Sequence, residues 1–306
     1  MPKFSIIIPC YNAALTIDST LTSLQAQSVS DWEIICIDDG STDVTCERIR
    51  FAAARNSRIT LHRNPRKGPS AARNHGASVL ATGEIIAFCD ADDLWAPSKL
   101  AELSDAFTDG SIDGVFGEIG FFSDTPGETP VRSTAPNGPL NVQTLLGENP
   151  VCTMSNMAVR RERFVQSGGF DESMVHNEDL DWLIRLVGRG ARVVGLPRLQ
   201  TYYRRSANGL SADLLAMDKG RQQALASAAR LGITPTGAAD ATYNRYLARR
   251  ALRLGLGRTT ALRHALLGLC QSPRGFLLPL RRGLPTLVAA ACAAAMPAVL
   301  TRRLFA

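Results

Sequence analysis

The sequence lacks several features that would set it apart from ordinary globular proteins. Aromatic residues make up only 6% of its 306 residues, and its seven scattered cysteines form no CxxC pair and no Cys/His ligand spacing. These absences argue against a disulfide framework and a zinc site, and they favour a reducing cytosol. The remaining composition, with 45% hydrophobic and 20% charged residues, excludes wholesale disorder, collagen and coiled coil.

Targeting and membrane-spanning signals are also missing. The apolar run after Lys3 is short and is interrupted at Pro9, so no signal peptide is expected. The apolar segment 284–300 is shorter than the ~20 residues needed to span a bilayer, and Pro285 and Pro297 interrupt it. The sequence therefore predicts a cytoplasmic protein.

Charge is distributed very unevenly along the chain. Residues 241–306 contain 11 arginines, no lysine and no acid, whereas the preceding 240 residues carry 28 acids and 23 bases. Beyond about residue 211 the pattern is helical and rich in Ala, Leu and Arg. We therefore divide the chain into a domain over residues 1–211 and a basic helical region over residues 212–306.

The basic region has two interpretations. It is either a helical cap packed on the acidic body or an arginine-anchored segment that lies on an anionic membrane surface. We favour the second, at the inner face of the cytoplasmic membrane, because arginines flank the apolar segment 284–300 on both sides. Nucleic acid is not expected as a partner, since stacking aromatics do not alternate with the arginines.

Strand and helix patterns alternate over the first ~95 residues. Apolar runs typical of buried strands lie at residues 4–9, 32–39, 59–62 and 84–89, and segments with helical spacing separate them. This alternation predicts an α/β fold with a mostly parallel sheet.

Polar residues follow these runs, at the sheet edge where open α/β folds bind ligands. Asp90, Asp92 and Asp93 repel one another unless a cation lies among them, and their hard oxygen ligands favour Mg²⁺ or Mn²⁺ bridged to a diphosphate. No P-loop or dinucleotide fingerprint is present. Ser41 and Asp43 are interpreted as turn and helix-capping residues.

Two further motifs leave alternatives open. Arg73 either contacts a phosphate of the substrate or holds one of the aspartate clusters in place. Glu178 and Asp179 begin a predicted helix, where acids are favoured by the helix dipole, but one of them facing the metal site would act as a general base.

Six sequence blocks together resemble family-2 glycosyltransferases with the GT-A fold. These blocks are FSIIIPCYN, IICIDDGSTD, GPSAARNHG, DADDLWAPSKL, GGFDE and NEDLDWLIRL, in the family's order and spacing over about residues 3–211. The resemblance is greatest to bacterial enzymes that extend lipid-linked oligosaccharides for surface polysaccharides. It implies an inverting hexosyltransferase that uses Mn²⁺ or Mg²⁺ and a nucleotide-diphosphate sugar, with UDP as the expected nucleotide. The implied acceptor is lipid-linked or a saccharide.

The resemblance also assigns roles to individual residues. The implied nucleotide-binding residues are Pro9, Tyr11, Asp39, Arg73 and Asp90. The implied metal ligands are Asp92 and Asp90, and the implied catalytic base is Asp179, with Glu178 as the alternative. Trp182 would lie near the acceptor or, equally, in the core. The histidine that many relatives carry after a Tyr-Arg pair is replaced here by Ser206, so Arg204 or Arg205 is the candidate for neutralising the diphosphate.

Two other functions compete with this interpretation. An NDP-sugar nucleotidyltransferase would share a similar sheet, but CYNAALT stands where its Gly-rich phosphate loop is expected. A membrane-associated scaffold with an inactive transferase domain is the second alternative, and the presence of both Asp92 and Asp179 argues against it.

Overall fold

The computed structural model describes residues 3–127, 131–136, 138–205, 214–256 and 259–296. Its strands are β1 (Phe4–Cys10), β2 (Trp32–Asp38), β3 (Ile59–Arg63), β4 (Ile85–Phe88), β5 (Leu94–Trp95), β6 (Gly114–Phe122), β7 (Met157–Arg160) and β8 (Val193–Arg204). Its helices are α1 (Ile17–Gln25), α2 (Thr45–Ala53), α3 (Pro69–His75), α4 (Lys99–Ala106), α5 (Val142–Gly147), α6 (Arg161–Ser167), α7 (Glu178–Gly188), α8 (Leu214–Arg230), α9 (Gly237–Leu254), α10 (Thr260–Gln271), α11 (Pro273–Leu277) and α12 (Leu280–Ala295).

The strands form one sheet in the order β3-β2-β1-β4-β7-β6-β8-β5. The first four strands are parallel, β7 runs antiparallel to both of its neighbours, and β6 and β8 are parallel to each other. The α/β prediction with a mostly parallel sheet is confirmed. The two short strand segments expected near residues 193–204 form a single strand, β8, which pairs with β6 through register shifts.

The parallel strands β1, β2 and β4 are largely buried on both faces, whereas β3 at the sheet edge is mostly accessible. Six of the seven residues of β1 are buried, as its continuous apolar run predicts for a strand between two helix layers. Because these strands run in the same direction, the loops that follow β1, β2 and β4 leave the sheet at one edge. The candidate site lies at this edge.

The chain divides into two compact units. The first contains residues 1–140 and 150–227, and the second contains residues 141–149 and 228–306. The boundary at residues 211/212 that we expected from the sequence lies outside the described residues. Residues 141–149, which form α5 and its flanks, were expected in the first domain but belong to the second unit.

The second unit is helical and has its own core. Phe276 is fully buried there among small side chains of α9, α10 and α12, including Ala241, Ala265 and Ala290. Helix α12 continues through Pro285, so the interruption expected at this residue does not occur, and Pro297 lies outside the described residues. Among the helices that the structure describes, none has both the length and the apolarity needed to cross a membrane.

Candidate active site

The loop after β2 is fixed by the carboxylate of Asp39. This carboxylate accepts hydrogen bonds from the side-chain amide of Asn64 at 2.7 Å and from the backbone N–H of Gly68 at 3.0 Å. Gly68 has a φ of +94°, a conformation that residues with a side chain rarely adopt. Asp39 therefore connects the end of β2 to the turn that begins α3.

The loop after β1 lies against the same region. The side-chain oxygen of Asn12 accepts from the backbone N–H of Thr42 at 2.8 Å, and its own N–H donates to the Ser41 hydroxyl. The expected capping role of Ser41 is therefore wrong, because its hydroxyl binds the β1 loop instead. Asp43 does accept from the N–H of Thr45, the first residue of α2. Tyr11, 58% exposed, leaves its ring available on this edge.

The first aspartate cluster follows β4, and Asp90 is its most firmly held member. Its backbone N–H donates to the Ser155 hydroxyl at 2.9 Å. Of its two carboxylate oxygens, Oδ2 accepts from the Thr153 hydroxyl at 3.2 Å and Oδ1 accepts from the Arg73 guanidinium at 2.7 Å. The loop before β7 and the helix α3 thus fix this carboxylate from two sides.

The negative charges of Asp92 and Asp93 are offset less by neighbouring groups than the charge of Asp90, which pairs with Arg73. Burial, together with the nearby Asp90 carboxylate, raises the pKa of Asp92 to about 6. Burial and the same neighbouring carboxylates also raise the pKa of Asp93, which accepts from the backbone N–H of Arg204 at 2.9 Å. The Arg204 side chain packs over the Phe122 ring and donates to the backbone oxygen of Asp92 at 3.0 Å. The Arg204 guanidinium offsets only part of the negative charge, because the pKa of Asp92 stays raised beside it.

A buried lysine supports this loop from the core. Lys99 is fully buried and donates to the backbone oxygen of Ser155 at 2.6 Å and to the Thr201 hydroxyl at 3.0 Å. Burial lowers the pKa of Lys99 to about 7. Since Ser155 also binds the backbone of Asp90, this lysine is part of the structure that positions the cluster. Nothing in the sequence distinguished Lys99 from an exposed helix residue.

The second acidic cluster begins α7 and meets the first through Arg73. The Arg73 guanidinium, 7% exposed, contacts Asp90 through one terminal nitrogen and Glu178 through the other, at 2.7 and 3.3 Å. These two carboxylates raise the pKa of Arg73 against the effect of its burial. Of the two roles left open for Arg73, the contacts match the one that holds the aspartate cluster. Both acidic clusters therefore lie at one site.

Asp179 is the acid whose proton affinity is most changed in this cluster. Burial and the adjacent Glu178 carboxylate raise the pKa of Asp179 to about 7. A carboxyl group with a pKa near neutral pH is suited to accept a proton from a hydroxyl. Glu178 differs from it because the guanidinium of Arg73 holds its carboxylate toward Asp90.

Helix α8 packs against the turn that precedes Glu178 and Asp179 and holds it in place. Asn177 has a φ of +59°, and its side-chain amide donates to the backbone oxygen of Met217 at 2.7 Å. Gly220 packs so closely that a Cβ atom added there would lie 2.2 Å from the backbone oxygen of His176. The positions of Glu178 and Asp179 thus depend on Asn177 and Gly220. Sequence reasoning assigned no role to either residue, although a glycine inside a helix is an unusual feature that could have indicated one.

Several sequence-based assignments need correction or stay predictions. Trp182 is fully buried, packs against Phe88, Phe164 and Phe170, and donates to the Ser167 hydroxyl at 2.9 Å, so it cannot contact an acceptor. Arg205 is exposed, and its diphosphate role stays a prediction; Ser206 lies outside the described residues.

A divalent cation fits this site as part of a larger complex. No group of three or more His, Cys, Asp and Glu side chains that could hold a metal ion occurs within the described ranges. The carboxylates of Asp90, which Arg73 holds in place, and of Asp92, whose pKa is raised, still offer hard oxygen ligands. Mg²⁺ and Mn²⁺ sites of this kind are usually completed by substrate phosphates and water.

Solved structures share the fold of this chain. The chain superimposes on S. aureus TarS 1-349 in complex with UDP-GlcNAc with a TM-score of 0.63 at 18% identity, covering 98% of this chain and 89% of that one. It also superimposes on the mannosyltransferase PcManGT from Pyrobaculum calidifontis, in complex with GDP-Man and Mn²⁺, with a TM-score of 0.61 at 22% identity. That match covers 99% of this chain and 87% of the other. At these identities the similarity establishes the fold, which is GT-A.

Curated relatives carry related names. A glycosyltransferase of PGL/p-HBAD biosynthesis from Mycobacterium bovis is 30% identical over 235 residues, which are 76% of this chain and 87% of the relative. The UDP-Glc:alpha-D-GlcNAc-diphosphoundecaprenol beta-1,3-glucosyltransferase WfgD of Escherichia coli is 42% identical over 97 residues, 31% of this chain and 37% of WfgD. Several other matches also span only 29 to 40% of the relative's length.

The family assignment rests on more than half of the chain. Residues 5–166 match the family described as Glycosyl transferase family 2, and this range contains the β1 and β2 loops, Arg73 and the first aspartate cluster. Together with the long mycobacterial match, this range shows that the chain belongs to glycosyltransferase family 2.

Proposed function

We propose that the protein is an inverting hexosyltransferase that moves a sugar from a nucleotide-diphosphate donor, with UDP as the nucleotide, to an acceptor hydroxyl. The observation that carries this proposal is the Arg73 bridge, since one guanidinium contacts a carboxylate of each acidic cluster. A departing nucleotide and an attacking hydroxyl need different groups on opposite sides of one sugar, and two clusters at one site provide them.

The donor side of the reaction uses the loops after β1, β2 and β4. Pro9, Tyr11 and Asp39 would hold the nucleobase and ribose, with Arg73 fixing the pocket behind them. Asp92 and Asp90 would bind Mn²⁺ or Mg²⁺, which acts as a Lewis acid on the diphosphate when it is bound. Arg204 and Arg205 would add positive charge near the diphosphate. The UDP-GlcNAc held by TarS and the GDP-Man and Mn²⁺ held by PcManGT support this assignment.

The acceptor side uses Asp179. Its carboxylate would take the proton from the acceptor hydroxyl as the oxygen attacks the anomeric carbon and the nucleoside diphosphate leaves from the opposite face. Single displacement inverts the anomeric centre. Glu178 is the alternative base, but its pairing with Arg73 directs its carboxylate toward Asp90.

A lipid-linked or saccharide acceptor and a role in bacterial surface polysaccharides are part of the same proposal. The name of WfgD specifies a diphosphoundecaprenol acceptor for that enzyme. In this chain Leu280, Leu284 and Val288 follow one another at helical spacing on α12 and are each more than half exposed. With exposed Arg281 beside them, they form a surface suited to the anionic inner face of the cytoplasmic membrane.

The proposed donor chemistry is tested with a panel of UDP- and GDP-sugars, measuring release of the nucleoside diphosphate with Mn²⁺ or Mg²⁺. We expect release from a UDP-sugar that a chelator abolishes. Asp92→Asn should lose it, whereas Asp105→Asn, an equal charge change at an exposed residue of α4, should keep it. If no donor on the panel is consumed while UDP still binds, the inactive scaffold replaces the transferase.

A further inference from the structure

A group of arginines in the second unit surrounds a single carboxylate. Glu148, just after α5, contacts Arg282 of α12 at 3.2 Å through both carboxylate oxygens. The same carboxylate lies 3.5 Å from a terminal nitrogen of Arg245 on α9. Glu148 therefore joins two helices of this unit through two guanidinium groups.

Arg245 has a structural role in this group. Its side chain is only 4% exposed and donates to the backbone oxygens of Gly275, Phe276 and Leu278, in addition to its contact with Glu148. The Arg245 guanidinium thus satisfies carbonyl groups at the end of α11 and in the segment that leads to α12. Because these partners occupy its N–H donors, Arg245 has few donors left to bind a ligand.

Arg249 differs from Arg245 in having no such partners. It lies one helical turn further along α9 and is partly buried, and its guanidinium makes no hydrogen bond or ion pair within the described part of the chain. Burial lowers the pKa of Arg249, and the positive charges of Arg253, Arg282 and Arg245 add to this effect, whereas the Glu148 carboxylate opposes it. Glu148 thus contacts Arg245 and Arg282, and Arg249 and Arg253 follow Arg245 at four-residue spacing along the same side of α9.

We infer that Arg249, Arg253 and Arg282 form a binding site for a phosphate or diphosphate group, next to the Arg245–Glu148 pair. Guanidinium groups bind phosphate oxygens through paired N–H donors, and an added anion would offset the repulsion among these side chains. The helix dipole explains an arginine in the last turn of α9, such as Arg253, but it does not explain Arg249. The inference concerns the second unit alone and does not depend on the proposed transfer reaction.

The phosphate group could come from a soluble molecule or from a lipid headgroup, and two probes distinguish these sources. Inorganic pyrophosphate is titrated calorimetrically into the full chain with divalent ions chelated, so that the first aspartate cluster does not contribute. Phosphatidylglycerol vesicles are compared with phosphatidylcholine vesicles by co-sedimentation. Each measurement uses the wild type, Arg249→Gln, Arg253→Gln and Arg263→Gln. The last variant removes an equal charge from the exposed surface of α10.

We expect Arg249→Gln to weaken binding of at least one probe by about tenfold, as loss of a charged hydrogen bond does, with Arg263→Gln near the wild type. Dependence on Arg249 with pyrophosphate identifies a soluble phosphate ligand, and dependence only with phosphatidylglycerol identifies a lipid headgroup. If Arg249→Gln does not fold, the exposed Arg253 provides the comparison. The inference is wrong if both variants bind both probes as Arg263→Gln does.

Discussion

The two acidic clusters of the first unit are built differently, although one arginine contacts both. The cluster after β4 is fixed by its surroundings, since Ser155, Thr153 and Arg73 hold Asp90 and leave Asp92 beside it. The cluster that begins α7 is fixed by its backbone, because α8 holds the turn in front of it. In each cluster, Arg73 pairs with one acid and a neighbouring acid has a raised pKa. The arrangement separates acids that hold the site together from acids suited to chemistry.

The most direct way to test this separation is to remove the proposed base alone. Asp179→Asn should lower sugar transfer by roughly 10²-fold or more, because the attacking hydroxyl loses its proton acceptor. Its affinity for UDP with Mn²⁺ should stay near the wild-type value, whereas Asp92→Asn should lose that affinity. Calorimetry and steady-state transfer assays on both variants measure the two effects. Near-normal turnover of Asp179→Asn would exclude this residue as the base.

Replacing Arg73 should damage both clusters at once. Arg73→Lys keeps the charge, but one ammonium group cannot replace a fork that reaches both carboxylates, so we expect transfer to fall by roughly 10- to 100-fold. UDP affinity with Mn²⁺ should fall as well, which a defect confined to the base would not cause. Arg66→Lys is the matched control, since the exposed Arg66 side chain pairs with one carboxylate only, that of Glu172, and an ammonium group can keep such a pair. Equal behaviour of the two variants would show that the bridge is dispensable.

We expect a smaller effect from a change in pH, which tests the second cluster through the protonation of Asp179. A base with a pKa of about 7 is protonated and inactive at lower pH, so transfer should rise as pH increases through 7 and then level off. At saturating donor and metal, the rate at pH 6 should be about tenfold below that at pH 8. The residual activity of Asp179→Asn should lack this rise. A wild-type rate that is constant from pH 6 to pH 8 would contradict the role of Asp179.

The sequence predicted those parts of the molecule that depend on local pattern. Continuous apolar runs predicted the parallel strands, and acids that follow strands predicted which residues reach one edge of the sheet. The side-chain partners were not predictable in this way, because Arg73 and Glu178 are 105 positions apart and meet only in the folded chain. Periodicity also placed Trp182 on a helix, but only the three surrounding phenylalanines show that it faces the core.

The role of Lys99 in positioning the first cluster was unpredictable for a related reason. A lysine near the start of a helix normally extends into water, and Lys99 does not, because the backbone oxygen of Ser155 and the Thr201 hydroxyl accept its protons inside the core. Its partners come from segments that follow it by 56 and 102 positions. The division at residues 227/228 was equally unpredictable, since it falls inside the continuous helix α8.

Gly220 allows α8 to pack directly against the peptide that precedes the two acids of α7. Because even a methyl group at this residue collides with the peptide in front of the two acids, the width of one helix backbone sets how closely α8 approaches them. Directed evolution confined to polar residues near the donor would overlook this position. Larger side chains along the neighbouring face of α8 would displace Glu178 and Asp179 together, and through Arg73 the displacement would reach the Asp90 carboxylate as well.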